Sequence, residues 1–290
     1  MPSPLPVLDI GGTHVSAALV DPATWSVGPV TRLALDADAA ADVLLDRFAR
    51  AAAAIEAPRG ATWGIAMPDP FDYDRGIGQF EGVGKFAALR GVDVADGLRR
   101  RLGGRPVFVN DADAFLLGEW VAGAAVGVDR CAGITLGTGI GSAWLVGGYV
   151  VDPGLPPGGR LHRLDIGGAP LEDVVSRRAI RRAFVRAGGD RDADVREIAD
   201  LARHDDPRAG RVLAAAMSAL GQVVGRCTSA FRADLLVVGG SMARSWDVLA
   251  PAFRAGALGR GLPELRVVTD SDAAPLIGAA LHGQRSAAVA

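Results

Sequence analysis

The sequence predicts a mixed α/β protein made of two similar lobes. Three observations carry that prediction. Short apolar strands open the chain and then alternate with amphipathic helices. A strand, glycine-rich turn and strand unit occurs twice, at 5–20 and again at 131–147. Of 290 residues, 49% are hydrophobic and 22% charged, enough apolar material for one large core or two ordinary ones.

The elements follow in order. Residues 5–10 (LPVLDI) and 14–20 (HVSAALV) flank Gly11, Gly12 and Thr13 and read as a hairpin, with a third strand near 27–34. The segment 38–57 places apolar residues at helical spacing after an Asp-rich start and stops before Pro58. A buried strand at 61–67, a helix at 92–102, a strand at 106–110 and a helix at 112–126 complete the first half. The second half restarts with strands 131–137 and 141–147. Helices are expected near 171–187, 194–203 and 207–232, then strand 233–240, helix 242–256, strand 264–270 and a final helix from about 274. Residues 8–20 laid without gaps on 134–146 match at five of thirteen positions, including Gly11 with Gly137 and Ser16 with Ser142. Duplication of one lobe accounts for this, with the copies facing each other across a cleft; a Gly/Ala-rich chain also produces such matches by chance. The expected boundaries are a small lobe over 1–111, onto which the C-terminal helix 274–290 packs back, and a large lobe over 112–273. Residues 150–170 form the longest irregular stretch, a place where function often resides.

Composition excludes several classes. The 31 basic and 33 acidic residues leave a formal charge of -2, so neither a nucleic-acid-binding stripe nor a basic groove for a long anion is evident. Lys85 is the only lysine. Two cysteines inside apolar stretches suit a reducing compartment and form no zinc motif. The N-terminus lacks signal-peptide features and no run of about 20 apolar residues occurs, so a cytoplasmic protein with no membrane partner is expected.

Consecutive glycines between two strands let backbone N–H groups converge on phosphate oxygens. Gly11, Gly12 and Thr13, and Gly137, Thr138 and Gly139, are therefore candidate phosphate cradles; either turn alone could be only a tight turn. Competing motifs fail on spacing. GVGK (82–85) lacks the first glycine of a P-loop and is followed by Phe86, and GTGIGS (137–142) leads into a strand instead of the helix a dinucleotide site needs. Asp9 immediately precedes the first turn, suited to holding Mg²⁺ through water, or to capping the turn. Asn110 and Asp111 end a strand and begin a helix. There a carboxylate can take a proton from a substrate hydroxyl while the amide orients it, although Asn-Asp before a helix also serves as an N-cap.

DIGGTH (9–14), NDADAFLLGE (110–119), LGTGIGS (136–142) and VVGGS (237–241) together resemble the ROK family of sugar kinases and related repressors. The resemblance spans nearly the whole chain. It implies the actin-like ATPase (ribonuclease H-like) fold, with mixed sheets flanking a cleft, and transfer of the γ-phosphoryl group of ATP to a sugar hydroxyl, commonly the 6-hydroxyl, with Asp111 as base and Mg²⁺ as charge clamp. It also implies that Gly239 and Gly240 lie on the adenosine side, that Asn110, His162 and Glu172 contact the sugar, and that the protein is a homodimer. Family members carrying a helix-turn-helix place it before the first phosphate motif, whereas Asp9 is nine residues from the start here, so DNA is not an expected partner.

The chain departs from the family pattern at three places. Gly159 stands where a sugar-gripping glutamate is usual, and the zinc cysteines are missing, which resembles the zinc-free branch containing ATP- and polyphosphate-dependent glucokinases. Asp69 replaces a turn glycine and would bring a carboxylate to the sugar side. Lys85 falls where relatives shape the sugar end of the cleft. A non-catalytic sugar sensor and a polyphosphate-dependent kinase remain alternatives to the ATP-dependent enzyme.

Overall fold

The computed structural model describes residues 3–155, 158–259 and 261–289, which form two compact units. The first comprises Met1–Gly123 and Asp272–Ala290, the second Ala124–Ser271.

In the first unit, β1 (Leu5–Ile10) and β2 (His14–Val20) pair antiparallel across the Gly11–Thr13 turn, and β3 (Thr31–Ala34) joins β2. Helix α1 (Ala41–Ala53) buries Leu44, Leu45 and Phe48, starting three residues later than its Asp-rich leader predicts. The parallel strand β4 (Thr62–Met67) follows, then a small hairpin of β5 (Phe71–Asp72) and β6 (Ile77–Gly78). Helix α2 (Val94–Leu102) is capped at its start by Asp93, which accepts from the Asp96 amide at 2.7 Å, and ends at Gly103 with φ +62°. Strand β7 (Arg105–Asn110) runs parallel to β4 and leads into α3 (Asp111–Ala122). The sheet order is β3-β2-β1-β4-β7. Helix α3 is buried along most of its length because the C-terminal helix (Ala274–Val289) crosses it at glycine: a Cβ on Gly118 would meet the Ala274 carbonyl, and one on Gly278 the Ala114 carbonyl. Phe48, Phe71, Phe80, Phe86 and Phe108 fill the opposite side of the sheet, with ring centres of Phe71 and Phe108 5.0 Å apart.

The second unit repeats the sheet. Strands β8 (Arg130–Leu136) and β9 (Ile140–Val146) form its hairpin, with β10 (Tyr149–Val150) beyond. A second small hairpin, β11 (Asp165–Ile166) and β12 (Ala169–Pro170), lies in the stretch expected to be irregular. The helix expected over 171–187 is two helices, α4 (Glu172–Val175) and α5 (Arg177–Arg186), because Ser176 turns extended and its hydroxyl caps α5 by accepting from the Ala179 amide. Helices α6 (Val195–Arg203) and α7 (Pro207–Phe231), strand β13 (Leu235–Gly239), helix α8 (Trp246–Gly256) and strand β14 (Glu264–Val267) follow. The order β10-β9-β8-β13-β14, two antiparallel then two parallel pairings, reproduces that of the first unit.

The duplication is therefore topological, but the ungapped alignment does not survive both strands. Ser16 faces Asp9, whereas Ser142 faces Ile134 and not Thr135. The second turn is one residue shorter, so β9 is shifted by one position relative to β2.

Candidate active site

The C-terminal ends of three neighbouring parallel strands, β1, β4 and β7, deliver Asp9, Asp69 and Asn110-Asp111 to one edge of the first sheet. Asp9 sits in register with Ala66, and Met67 with Asn110, so the three strands end level. Such an edge is where open α/β sheets bind ligands.

Asn110 is 3% exposed. Its Oδ1 accepts from the amides of Ala112 (3.1 Å) and Asp113 (3.3 Å), so it is the N-cap of α3. Its Nδ2 donates to the Tyr73 hydroxyl at 2.9 Å. That hydroxyl lies 2.9 Å from Asp69 Oδ1 and 3.0 Å from the Met67 carbonyl, its two acceptors. Tyr73 thus joins the β4 and β7 ends, a residue sequence reasoning missed; the only available signal was a lone tyrosine in the Asp-rich stretch 69–74. Burial, then the charges of Asp69 and Asp111, push its phenol well above its usual range, so it stays protonated. Asp111 occupies the first turn of α3, its Oδ1 accepting the Ala112 amide at 2.8 Å, and is half-buried.

Asp9, partly buried before the turn, has its carboxyl pushed up to about 7, chiefly by burial and then by the charge of Asp111; Arg32 opposes this and Asp272 adds to it. A site that collects carboxylates with so little compensation fits a hard divalent cation with oxygen ligands. Among the described residues no three His, Cys, Asp or Glu side chains form a metal-holding group, so a cation at Asp9 would draw its other ligands from water and phosphate.

The first turn is held by the Gly11 amide donating to the His14 carbonyl at 2.9 Å. A Cβ on Gly12 would meet only the Lys85 stem, at 3.8 Å. The single lysine, expected at the sugar end, therefore lies against the phosphate turn.

Within the second unit, Gly137, Thr138 and Gly139 are gathered with the residues named beside them. The Gly137 carbonyl accepts the Arg177 amide at 3.0 Å, tying the start of α5 to the turn. Glu172 packs so closely on Gly139 that a Cβ there would come within 2.5 Å of its Oε1. Gly239 is in register with Thr135, and Gly240 adopts φ +88° against Leu136, whose carbonyl a Cβ would approach to 2.5 Å. The glycine at 240 is thus demanded by packing on β8, and its amide donates to Ser271 Oγ at 3.3 Å.

Gly159 has φ +71° and is buried; a Cβ would come within 2.6 Å of Trp144 Nε1 and would clash with Pro153. Its carbonyl accepts from Ser142 Oγ (2.8 Å) and Trp144 Nε1 (2.9 Å). No side chain fits there, so a glutamate could not stand at 159 in this packing. His162 sits three residues on, in a short 3₁₀ turn, accepting from Arg163 Nε at 3.2 Å.

The ROK family model matches residues 7–153 and 168–284. The chain belongs to the ROK family. A glucokinase of Thermotoga maritima is 29% identical over 93% of this chain and 92% of its own. Among solved structures, the ROK hexokinase from Thermus thermophilus aligns with a TM-score of 0.80 at 26% identity, covering 99% of this chain and all of that one. The inorganic polyphosphate/ATP-glucomannokinase from Arthrobacter sp. strain KM gives 0.75 at 25% identity, covering 98% and 100%. The fold is the actin-like ATPase fold of these ROK proteins. No helix among the described residues is long and apolar enough to cross a membrane.

Proposed function

We propose that this ROK protein is a sugar kinase that transfers the γ-phosphoryl group of ATP to a hydroxyl, the 6-hydroxyl, of a hexose or hexose derivative. The observation that carries the reading is the sheet edge where Asp9, Asp69 and Asp111 end neighbouring strands beside a glycine turn. Full-length likeness to a glucokinase and to a ROK hexokinase supports the class of reaction.

Phosphoryl transfer asks mainly for positioning and charge stabilisation. The turn amides of Gly11, Gly12 and Thr13, and of Gly137, Thr138 and Gly139, offer donors to phosphate oxygens, and the Gly239-Gly240 turn follows the strand beside the second. Asp9 holds Mg²⁺ through water; when bound, the ion neutralises charge on the phosphates. Asn110, held by its cap and by Tyr73, orients the acceptor, and Asp69 adds a carboxylate on the same network. Asp111, fixed in the first turn of α3, accepts the hydroxyl proton as the oxygen attacks phosphorus. His162 and Glu172 are the sugar-contacting groups of the second unit. With Gly159 lacking a side chain, glucose is one acceptor class among hexoses, amino sugars and N-acetylated sugars.

A coupled ADP-release screen across those sugars tests the proposal. Turnover with at least one is expected. Sugar binding without turnover, with either ATP or polyphosphate, would identify a sensor instead.

A further inference from the structure

The second unit contains a cavity of about 690 Å³ lined by Thr138, Val185 and six arginines. Five of these, Arg177, Arg178, Arg181, Arg182 and Arg186, lie on α5, and Arg191 follows it. Arg177 Nε is paired with Asp194 at 2.6 Å and Arg182 with Asp173 at 3.6 Å. Arg181 donates to the carbonyls of Ala193 (3.1 Å) and Arg191 (3.3 Å). Arg178, Arg186 and Arg191 have no acidic partner among the described residues. Two aspartates thus balance six guanidinium groups, in a chain whose formal charge is -2. Spacings of four residues (177/181, 178/182, 182/186) stack like charges on the helix, which an isolated helix resists. That arrangement is relieved by an anion in the cavity.

The cavity begins at Thr138, the tip of the second phosphate turn, and the Arg177 amide is bonded to Gly137 in the same turn. A ligand whose phosphate is held at Thr138 therefore continues directly into arginine. Guanidinium groups recognise phosphate through paired N–H bonds. Beyond its phosphates a nucleotide offers a neutral ribose and base, for which the lining supplies one apolar side chain, Val185, and no aromatic ring. An oligonucleotide would lack a stacking platform for the same reason. A linear chain of phosphates carries charge along its whole length and matches the lining throughout.

We infer that the arginine face of α5 is a binding site for inorganic polyphosphate, continuing from Thr138, so that the kinase takes its phosphoryl group from the end of such a chain as well as from ATP. The inference rests on the kinase reading of the phosphate turns. In that reaction the acceptor hydroxyl oxygen forms a bond to the terminal phosphorus and the terminal phosphoanhydride bond breaks. The chain, one phosphate shorter, leaves with that electron pair, and the hydroxyl proton passes to Asp111.

The test compares wild type with an R178Q/R186Q/R191Q variant, which spares the three arginines with structural bonds. Steady-state transfer to an accepted hexose is measured with ATP and with medium-chain polyphosphate, and polyphosphate binding is measured separately by calorimetry. The expected result is polyphosphate turnover by wild type, a KM or Kd for polyphosphate raised about tenfold or more in the variant, and ATP kinetics within about threefold. Equal losses with ATP would make the cavity part of the nucleotide site, and unchanged polyphosphate affinity, or none in wild type, would overturn the inference. If neither donor supports turnover, the kinase reading fails, while the calorimetric comparison still decides whether the cavity holds a polyphosphate.

Discussion

Tyr73 accepts a hydrogen bond from Asn110 at 2.9 Å, which fixes the amide that caps α3 to the loop after β4. The same hydroxyl reaches Asp69 at 2.9 Å, so the cap of the helix bearing Asp111 and the carboxylate unusual at this turn share one phenol. Tyr73→Phe keeps the ring against Phe71 and removes only that oxygen. It is expected to lower stability by about 1–2 kcal/mol in denaturant titrations and to raise the acceptor KM several-fold more than the ATP KM. Equal effects on both substrates would make Tyr73 a packing residue alone.

Asp9 carries a conflict between stability and activity. Its folded-state pKa of about 7 lies above the ordinary 3.8, so the protein binds a proton at Asp9 on folding in that window. Stability from this group is complete below about pH 4 and is lost as pH rises through 7. Asp9→Asn removes the penalty, and the ligand-free variant should be more stable than wild type by about 2 kcal/mol at pH 8, after discounting for partial exposure, with a smaller difference at pH 5. Kinase activity should fall at least a hundredfold. Denaturation at the two pH values checks the sign; a variant less stable at pH 8 would contradict the assignment.

Gly159 is a place where restoring the family residue should do harm. Gly159→Ala places a Cβ against Trp144 and Pro153 in a backbone conformation with φ +71°. A loss of about 2 kcal/mol or more is expected. Gly159→Glu should be less stable still and should gain no sugar affinity. A stable Gly159→Glu protein with tighter glucose binding would show that the segment rearranges.

The lobe architecture was legible because it depends on periodicity and turn chemistry. Alternating β1 and β2 around Gly11-Gly12, and the same unit at β8 and β9, are local signals. The one-residue shift between the hairpins was not, because register depends on loop length and cross-strand packing, to which an ungapped match is blind. The break at Ser176 was readable in principle, since serine is an N-cap, but the apolar spacing of 171–187 runs through it. In the site, Asn110 and Asp111 announced themselves by adjacency at a strand end, whereas Tyr73 is contributed by a loop that folds back. Lys85 reaches Gly12 only through tertiary folding. The α5 arginines were in plain view, but a near-neutral total charge concealed that they share one cavity.

Asp111 as the proton acceptor is the central claim, and Asp111→Asn tests it most directly because it keeps the shape of the side chain. Turnover with ATP and the best acceptor is compared with acceptor binding measured calorimetrically. The account predicts a fall in kcat of about 10²- to 10⁴-fold with an acceptor Kd within about threefold of wild type. Near-normal kcat in a folded, sugar-binding Asp111→Asn protein would contradict it.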